Sequence, residues 1–196
     1  PEGEGAMAAI LGLDDDRVIA ACNEAAQGEV VEAVNFNSPG QVVIAGQKTA
    51  VQRAIDLLKE TGAKRALMLP VSVPSHCQLM VGAAEKLGDK LRSIDIAAPT
   101  IPVIHNVDVR CYSSAEDIRR ALQQQLHNPV RWVETVRAMH ASGVTTVLEM
   151  GPGKVLAGLN KRIEKSMAAI PVQQPGDLDQ ALAACQGTGN GRPEGE

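Results

Sequence analysis

The sequence predicts an α/β chain in two parts. Residues 1–71 follow a β-α-β-β-α-β order, the ferredoxin-like pattern, and residues 72–184 alternate short strands with longer helices. Three observations carry this expectation. Apolar runs and helical stripes succeed one another in that order over the first seventy residues. Turn residues mark the changeovers. The only aromatic residues are Phe36, Tyr112 and Trp132, so the core must be built from Ala, Val, Leu, Ile and Met.

The elements follow in turn. Residues 7–13 form a short apolar run, a buried strand. Asp14, Asp15 and Asp16 supply an N-cap and a negative first turn. Val18, Ile19, Cys22, Ala25 and Ala26 then recur at helical spacing until Gly28. Residues 30–36 alternate as a strand, and Asn37-Ser38-Pro39-Gly40 is turn chemistry. Residues 41–46 form the second arm of a hairpin with a somewhat longer loop. Ala50, Val51, Ala54, Ile55, Leu57 and Leu58 make a helical stripe ending at Gly62, and residues 65–69 complete the unit as a strand.

Beyond Pro74 the pattern predicts a helix over 77–93 and a short buried strand over 102–104. Ser113 and Ser114, with Asp117, open a helix reaching Leu126 in the manner of a capping box. Pro129 starts a further helix at a favoured first-turn position, running to Ser142. A strand over 144–148, a helix over 154–167 and a short strand over 171–172 follow. The three short strands imply a parallel layer with an uncovered edge. Residues 185–196 read as a flexible tail. Pro193-Glu194-Gly195-Glu196 repeats Pro1-Glu2-Gly3-Glu4, which points to a cloning or assembly feature.

Composition narrows the function. A net charge of −4 and few aromatics speak against a nucleic-acid partner. No apolar run approaches the length that spans a membrane, and the acidic, polar start is unlike a signal peptide. The four cysteines, Cys22, Cys77, Cys111 and Cys185, form no C-x-x-C pair. Free thiols in a cytoplasmic protein are the simpler account, with no metal site.

His76 is the leading catalytic candidate. It follows an apolar strand and Pro74, where a helix should begin, and a base there can take a proton from a hydroxyl or a thiol. The competing reading is a polar residue capping the next helix. Ser75 and Cys77 adjoin His76 in sequence, too close for the geometry of a nucleophile and its base. No G-x-S-x-G elbow occurs in the chain. His105, His127 and His140 lack metal-binding spacing. Gly151-Pro152-Gly153-Lys154 resembles a phosphate loop but has Val155 where Ser or Thr is required. Lys64 and Arg65 are either a solvated edge guard or a contact for phosphate groups or an acidic partner.

Four motifs are more specific. They are the runs PVSVPSHC (70–77), VNFNSPGQVVIAG (34–46), QLHNPVRW (125–132) and EMGPGKVL (149–156). In order and spacing they resemble the malonyl-CoA:acyl-carrier-protein transacylase family of bacterial fatty acid synthesis, over residues 1–184. The resemblance implies a ferredoxin-like subdomain over 1–71 and the C-terminal part of an α/β-hydrolase-like acyltransferase domain over 72–184. It implies ping-pong transfer of malonyl from CoA to the phosphopantetheine of acyl carrier protein through a serine acyl-enzyme. His76 would be the base, and the backbone carbonyl of Gln125 would orient it. Lys64, Arg65, Asn35, Asn37 and Asn106 are implied as substrate- or carrier-binding residues, with no cofactor beyond the two substrates and a monomeric state. The elbow serine, the carboxylate-binding arginine and the oxyanion loop of that family lie upstream of the matched region. The chain is therefore expected to be inactive alone. The alternatives are an acyltransferase of different acyl specificity and a non-catalytic carrier-binding fragment.

Overall fold

The computed structural model describes residues 5–187. The repeated terminal tetrapeptides and most of the expected tail lie outside them. The chain divides into two compact units between Thr135 and Val136, and each is described separately.

The first unit opens with β1 (Gly5–Leu11), α1 (Asp15–Ala26), β2 (Val31–Ser38), β3 (Gln41–Gln47), α2 (Lys48–Glu60) and β4 (Arg65–Met68). The strands form one antiparallel sheet in the order β2-β3-β1-β4. Alternate side chains of each strand reach opposite faces. Ala6, Ala8 and Ile10 of β1 join Val42 and Ile44 of β3 beneath Val18, Cys22, Val51, Ile55 and Leu58 of the two helices. Met7, Val34, Val43 and Ala45 face the other way and pack with Cys77. That second face seats the segment after Pro74. Gly46 is required where β3 passes the start of β2. A Cβ there would lie 2.0 Å from the Val30 carbonyl oxygen.

The loop between β2 and β3 is tighter than the sequence suggests. Ser38 pairs directly with Gln41, leaving only Pro39 and Gly40 between them. Proline fixes the first central φ, and Gly40 takes a φ of +71° at the second, the combination of a type II turn. Asp14 does occupy the N-cap position of α1, but its side chain makes no capping hydrogen bond.

A 3₁₀ turn (Gln78–Met80) follows, then α3 (Val81–Arg92), β5 (Ile104–His105), β6 (Arg110–Cys111) and α4 (Ala115–Gln125). The helix expected from residue 77 thus begins with one tighter turn. The strand expected over 102–104 shrinks to a two-residue arm that pairs antiparallel with β6. It joins no parallel layer, and Val103 beside it is exposed. The cap of α4 is present. Ser114 Oγ accepts from the Asp117 N–H at 3.1 Å and donates to the Asp117 carboxylate at 2.6 Å. Arg119 fastens α4 to α3 by donating to the Leu91 and Ile94 carbonyls at 2.9 and 2.7 Å. This satisfies acceptors that a helix end leaves open.

α5 (Trp132–Ala141) starts three residues later than Pro129 suggested. Val130 is held extended instead. Its N–H donates to the Val34 carbonyl at 2.8 Å, and its carbonyl accepts from Phe36 at 3.0 Å, a parallel bridge onto β2. This bridge also explains why the compact units do not divide after residue 71. The 126–131 segment is hydrogen-bonded to the four-stranded sheet.

The second unit contains β7 (Thr146–Met150), α6 (Val155–Ile163), β8 (Ala168–Val172) and α7 (Pro175–Gly187). β7 and β8 pair in parallel, Thr146 opposite Ala168 through Met150 opposite Val172, as the strand-helix alternation predicts. α6 ends four residues before Met167, and α7 takes in Cys185 and Gln186, which the sequence reading placed in the tail. Among the described residues no helix is long and apolar enough to cross a membrane, and none of the four cysteines forms a disulfide.

Candidate active site

Pro74 fixes the approach to His76. It is fully buried, and its ring occupies the space a side chain on Gly5 would need, 2.3 Å from the would-be Cβ. Three residues on, Cys77 is fully buried on the second sheet face. Its thiol donates to the Pro74 carbonyl at 3.2 Å, and burial pushes its pKa up to about 11. At neutral pH it is a packed thiol and a poor nucleophile. Gln78 starts the 3₁₀ turn, with its N–H donating to Glu32 Oε2 at 3.1 Å. Glu32 is partly desolvated there, which raises its carboxyl above the ordinary range.

His76 lies between these anchors with a φ of +67°. This left-handed conformation is unfavourable for a residue with a Cβ and persists only where neighbours hold it. The end of α4 provides the hold. The His76 N–H donates to the Leu126 carbonyl at 3.0 Å, and the ring Nδ1 lies 2.7 Å from the Gln125 carbonyl oxygen. A carbonyl can only accept, so Nδ1 carries the hydrogen. In the neutral ring the lone pair then sits on Nε2. Chemically, this is a half-buried imidazole in a fixed tautomer that can accept a proton at Nε2.

The last three carbonyls of α4 and that of Leu126 have partners. Gln123 accepts from Leu126 N–H, and Gln124 accepts from His127 N–H and from Asn128 Nδ2 at 2.8 Å. Gln125 and Leu126 accept from His76. In return, Gln125 Nε2 donates to the Asn128 and Pro129 carbonyls at 3.2 and 3.4 Å.

The remaining candidates do not gather at one point. Asn35 and Asn37 are half-buried on β2, and Asn35 bridges to Val130. Lys64 and Arg65 are exposed at the start of β4, on the opposite edge of the sheet. Three strand spacings separate those edges, about 14 Å. The Lys64 stem lies across Gly12, whose Cβ would fall 2.6 Å from it. Asn106 Oδ1 accepts from the Thr135 hydroxyl at 3.2 Å, and its backbone carbonyl accepts from Arg131 N–H at 3.0 Å. Its polar atoms tie the start of α5 to the 105–111 turn.

At the Gly151-Pro152-Gly153-Lys154 turn the N–H groups of Leu156 and Ala157 already meet the Glu149 carboxylate, at 3.1 and 2.7 Å. An internal anion therefore occupies the start of α6. Sequence reasoning missed Glu149 and Asn128. Their positions, one just before a Gly-Pro-Gly turn and one just past a helix end, were the available signals. Among the described residues no group of three or more His, Cys, Asp or Glu side chains could hold a metal ion.

Comparison with known proteins places this geometry in context. Residues 1–184 match the model of the acyl transferase domain. The chain is 57% identical over 182 residues to malonyl CoA-acyl carrier protein transacylase of Escherichia coli strain K12, covering 93% of this chain and 59% of that protein. It superposes on an acyl carrier protein S-malonyltransferase of Vibrio cholerae with a TM-score of 0.91 at 57% identity, covering 92% of this chain and 59% of that one. It superposes with a TM-score of 0.92 at 55% identity on a malonyl-transacylase solved in complex with its type II PKS acyl-carrier protein, covering 94% and 60%. The chain thus spans about three-fifths of the length of the relatives it matches.

Proposed function

This chain belongs to the acyl transferase domain family, and from that premise we propose that it works as part of a malonyl-CoA:acyl-carrier-protein transacylase. Within that protein His76 is the general base and the Gln125 carbonyl is its orienting group. The observation that carries the reading is the 2.7 Å contact between His76 Nδ1 and the Gln125 carbonyl oxygen, which leaves Nε2 free to take a proton.

The cycle balances with one hydroxyl and two thiols. A serine hydroxyl attacks the malonyl thioester carbon as Nε2 removes its proton. The C–S bond then breaks, and the imidazolium returns the proton to the departing CoA sulfur. The phosphopantetheine thiol of the carrier attacks the resulting ester in the same way, and the serine recovers its proton. Such a base contributes about 10²–10⁴ in rate. The serine is not among these 196 residues in any G-x-S-x-G elbow. The isolated chain is accordingly proposed to form no acyl-enzyme.

The four-stranded sheet with α1 and α2, residues 1–71, is the ferredoxin-like subdomain in this reading. Residues 72–184 are the C-terminal part of an α/β-hydrolase-like acyltransferase domain. Lys64 and Arg65, exposed on the edge strand, supply a basic contact for an acidic carrier or for CoA phosphates. The setting is the cytoplasm, where both substrates are available.

Two experiments decide it. In a full-length transacylase carrying these residues, His76→Ala should lower malonyl transfer from malonyl-CoA by about a thousandfold. Near-normal transfer overturns the assignment. The 196-residue chain incubated with labelled malonyl-CoA should show no added mass, and a stoichiometric adduct would refute its proposed inactivity. A non-catalytic, carrier-binding role for the isolated chain is the second reading, favoured by the missing elbow.

A further inference from the structure

The turn that presents the Gln125 carbonyl is held by its own side chains. Asn128 Nδ2 reaches back to the Gln124 carbonyl, and Gln125 Nε2 reaches forward to the Asn128 and Pro129 carbonyls. The two amides thus cross over residues 125–128. The ends of this segment are fixed independently. α4 is fastened to α3 through Arg119, Val130 is bridged to β2, and Arg131 is bonded to Asn106. Between these ends the chain turns through single backbone bonds, Leu126 N–H to the Gln123 carbonyl and His127 N–H to the Gln124 carbonyl at 3.3 and 3.2 Å, and the two amides add side-chain bonds to the peptides beside the oxygen that faces His76 Nδ1.

We infer that Asn128 and the Gln125 side chain are positioning residues, a reciprocal amide clamp that fixes the Gln125 carbonyl and so holds His76 in its Nδ1–H tautomer. This rests on the reading of His76 as the base, to which it adds the means of orientation. The physical basis is the directionality of hydrogen bonds, which weaken steeply as the acceptor swings off the donor line. His76 already has a strained backbone, so its ring keeps one orientation only while both carbonyls stay in place. A clamp made of donors also differs from simple packing. An isosteric side chain that cannot donate should undo it.

The test uses the 196-residue chain and needs no catalysis. Long-range ¹H–¹⁵N spectra of ¹⁵N-histidine-labelled protein, with the His76 signal identified through His76→Gln, report the tautomer of the neutral ring. The parent chain should show His76 protonated on Nδ1. Asn128→Asp keeps the shape but replaces the donor by an acceptor, and Gln125→Glu does the same from the other side. Each should shift the tautomer ratio about tenfold toward Nε2–H, the equivalent of about 1.4 kcal/mol. An unchanged ratio in both folded variants overturns the inference. If one variant fails to fold, the other decides. If both fail, the clamp is structural only and the inference is equally lost. Normal transfer by His76→Ala in the full-length enzyme would sink the base assignment yet leave this tautomer result standing, so the two failures are distinguishable.

Discussion

The carboxylate of Glu149, at the end of β7, closes on the N–H groups of Leu156 and Ala157 in the first turn of α6, at 3.1 and 2.7 Å. The contact spans the Gly151-Pro152-Gly153-Lys154 turn and gives a glycine-rich loop a structural role. Helix starts leave several N–H groups without partners and favour negative charge. Here the chain supplies that charge itself. Replacing Glu149 by Ala should cost about 1–2 kcal/mol in urea denaturation, the usual loss on removing a helix cap. Inorganic phosphate should neither bind the parent chain at this turn nor protect it against heating. Phosphate-dependent shifts of the Leu156 or Ala157 amide resonances would refute this account.

The thiols divide into two classes by burial. Cys22 and Cys77 are buried and Cys111 and Cys185 are exposed. Desolvation pushes Cys22 up to about 12 and Cys77 up to about 11. Because the thiolate is the reactive form, both are nearly inert near pH 8. Iodoacetamide should label Cys111 and Cys185 in the native chain, and all four only in denaturant. Peptide mass mapping that found Cys77 modified as fast as Cys111 would show that the segment carrying His76 opens readily.

Among the described glycines, Gly46 leaves the least room for a side chain. A Cβ would stand 2.0 Å from the Val30 carbonyl oxygen and 2.6 Å from Val31 Cα. Both are main-chain atoms and cannot rotate aside. Gly46→Ala should therefore destabilise by about 3 kcal/mol or more, at the upper end of overpacking costs. Gly28→Ala is a useful contrast. It meets no atom within 4 Å, and its φ of +89° is the only obstacle. Comparing the two urea midpoints separates steric clash from backbone strain, and equal midpoints would contradict the close approach.

The first half of the fold was legible because short-range signals agreed with one another. The Asp14–Asp16 start, the 50–58 stripe and the Pro39-Gly40 turn each act within a few residues. The misreadings have a common physical origin. Pro129 suits the first turn of a helix, yet its preset φ suits extended chain equally well. The decision was made by β2, whose edge takes up Val130. The 102–104 run looked like a buried strand, but no neighbouring strand accepts it beyond a two-residue pairing with β6. At the candidate site, His76 was visible as a lone imidazole after Pro74. Its Gln125 partner came from family resemblance alone. A backbone carbonyl forty-nine positions away has no residue type to betray it. Asn128 was hidden for a related reason, since its donor serves a main-chain oxygen.

Glu29 makes the stability of the helical face depend on pH. Thr49 Oγ1 donates to its Oε1 at 2.6 Å and Arg53 to its Oε2 at 2.7 Å. These bonds, Thr49 first and Arg53 second, hold the Glu29 carboxyl below the ordinary value of 4.5. Arg53 also donates to the Ala25 and Ala26 carbonyls at the end of α1, so the carboxylate steadies the arginine that caps that helix. A carboxyl whose folded pKa is depressed binds its proton less readily than in the unfolded chain. Its stabilisation is complete above the unfolded value and fades as pH falls through the folded one. Glu29→Gln should accordingly melt at a lower temperature than the parent chain near pH 6, and the gap should narrow as the pH falls below the ordinary carboxylate range. The pair is solvent-facing, so salt should narrow the gap at pH 6. A gap that persisted unchanged at acid pH would assign the loss to altered packing rather than to ionisation. Thr49→Val offers the sharper check, because it removes the largest cause while leaving the charge in place. It should move the acid limb of the melting curve toward higher pH.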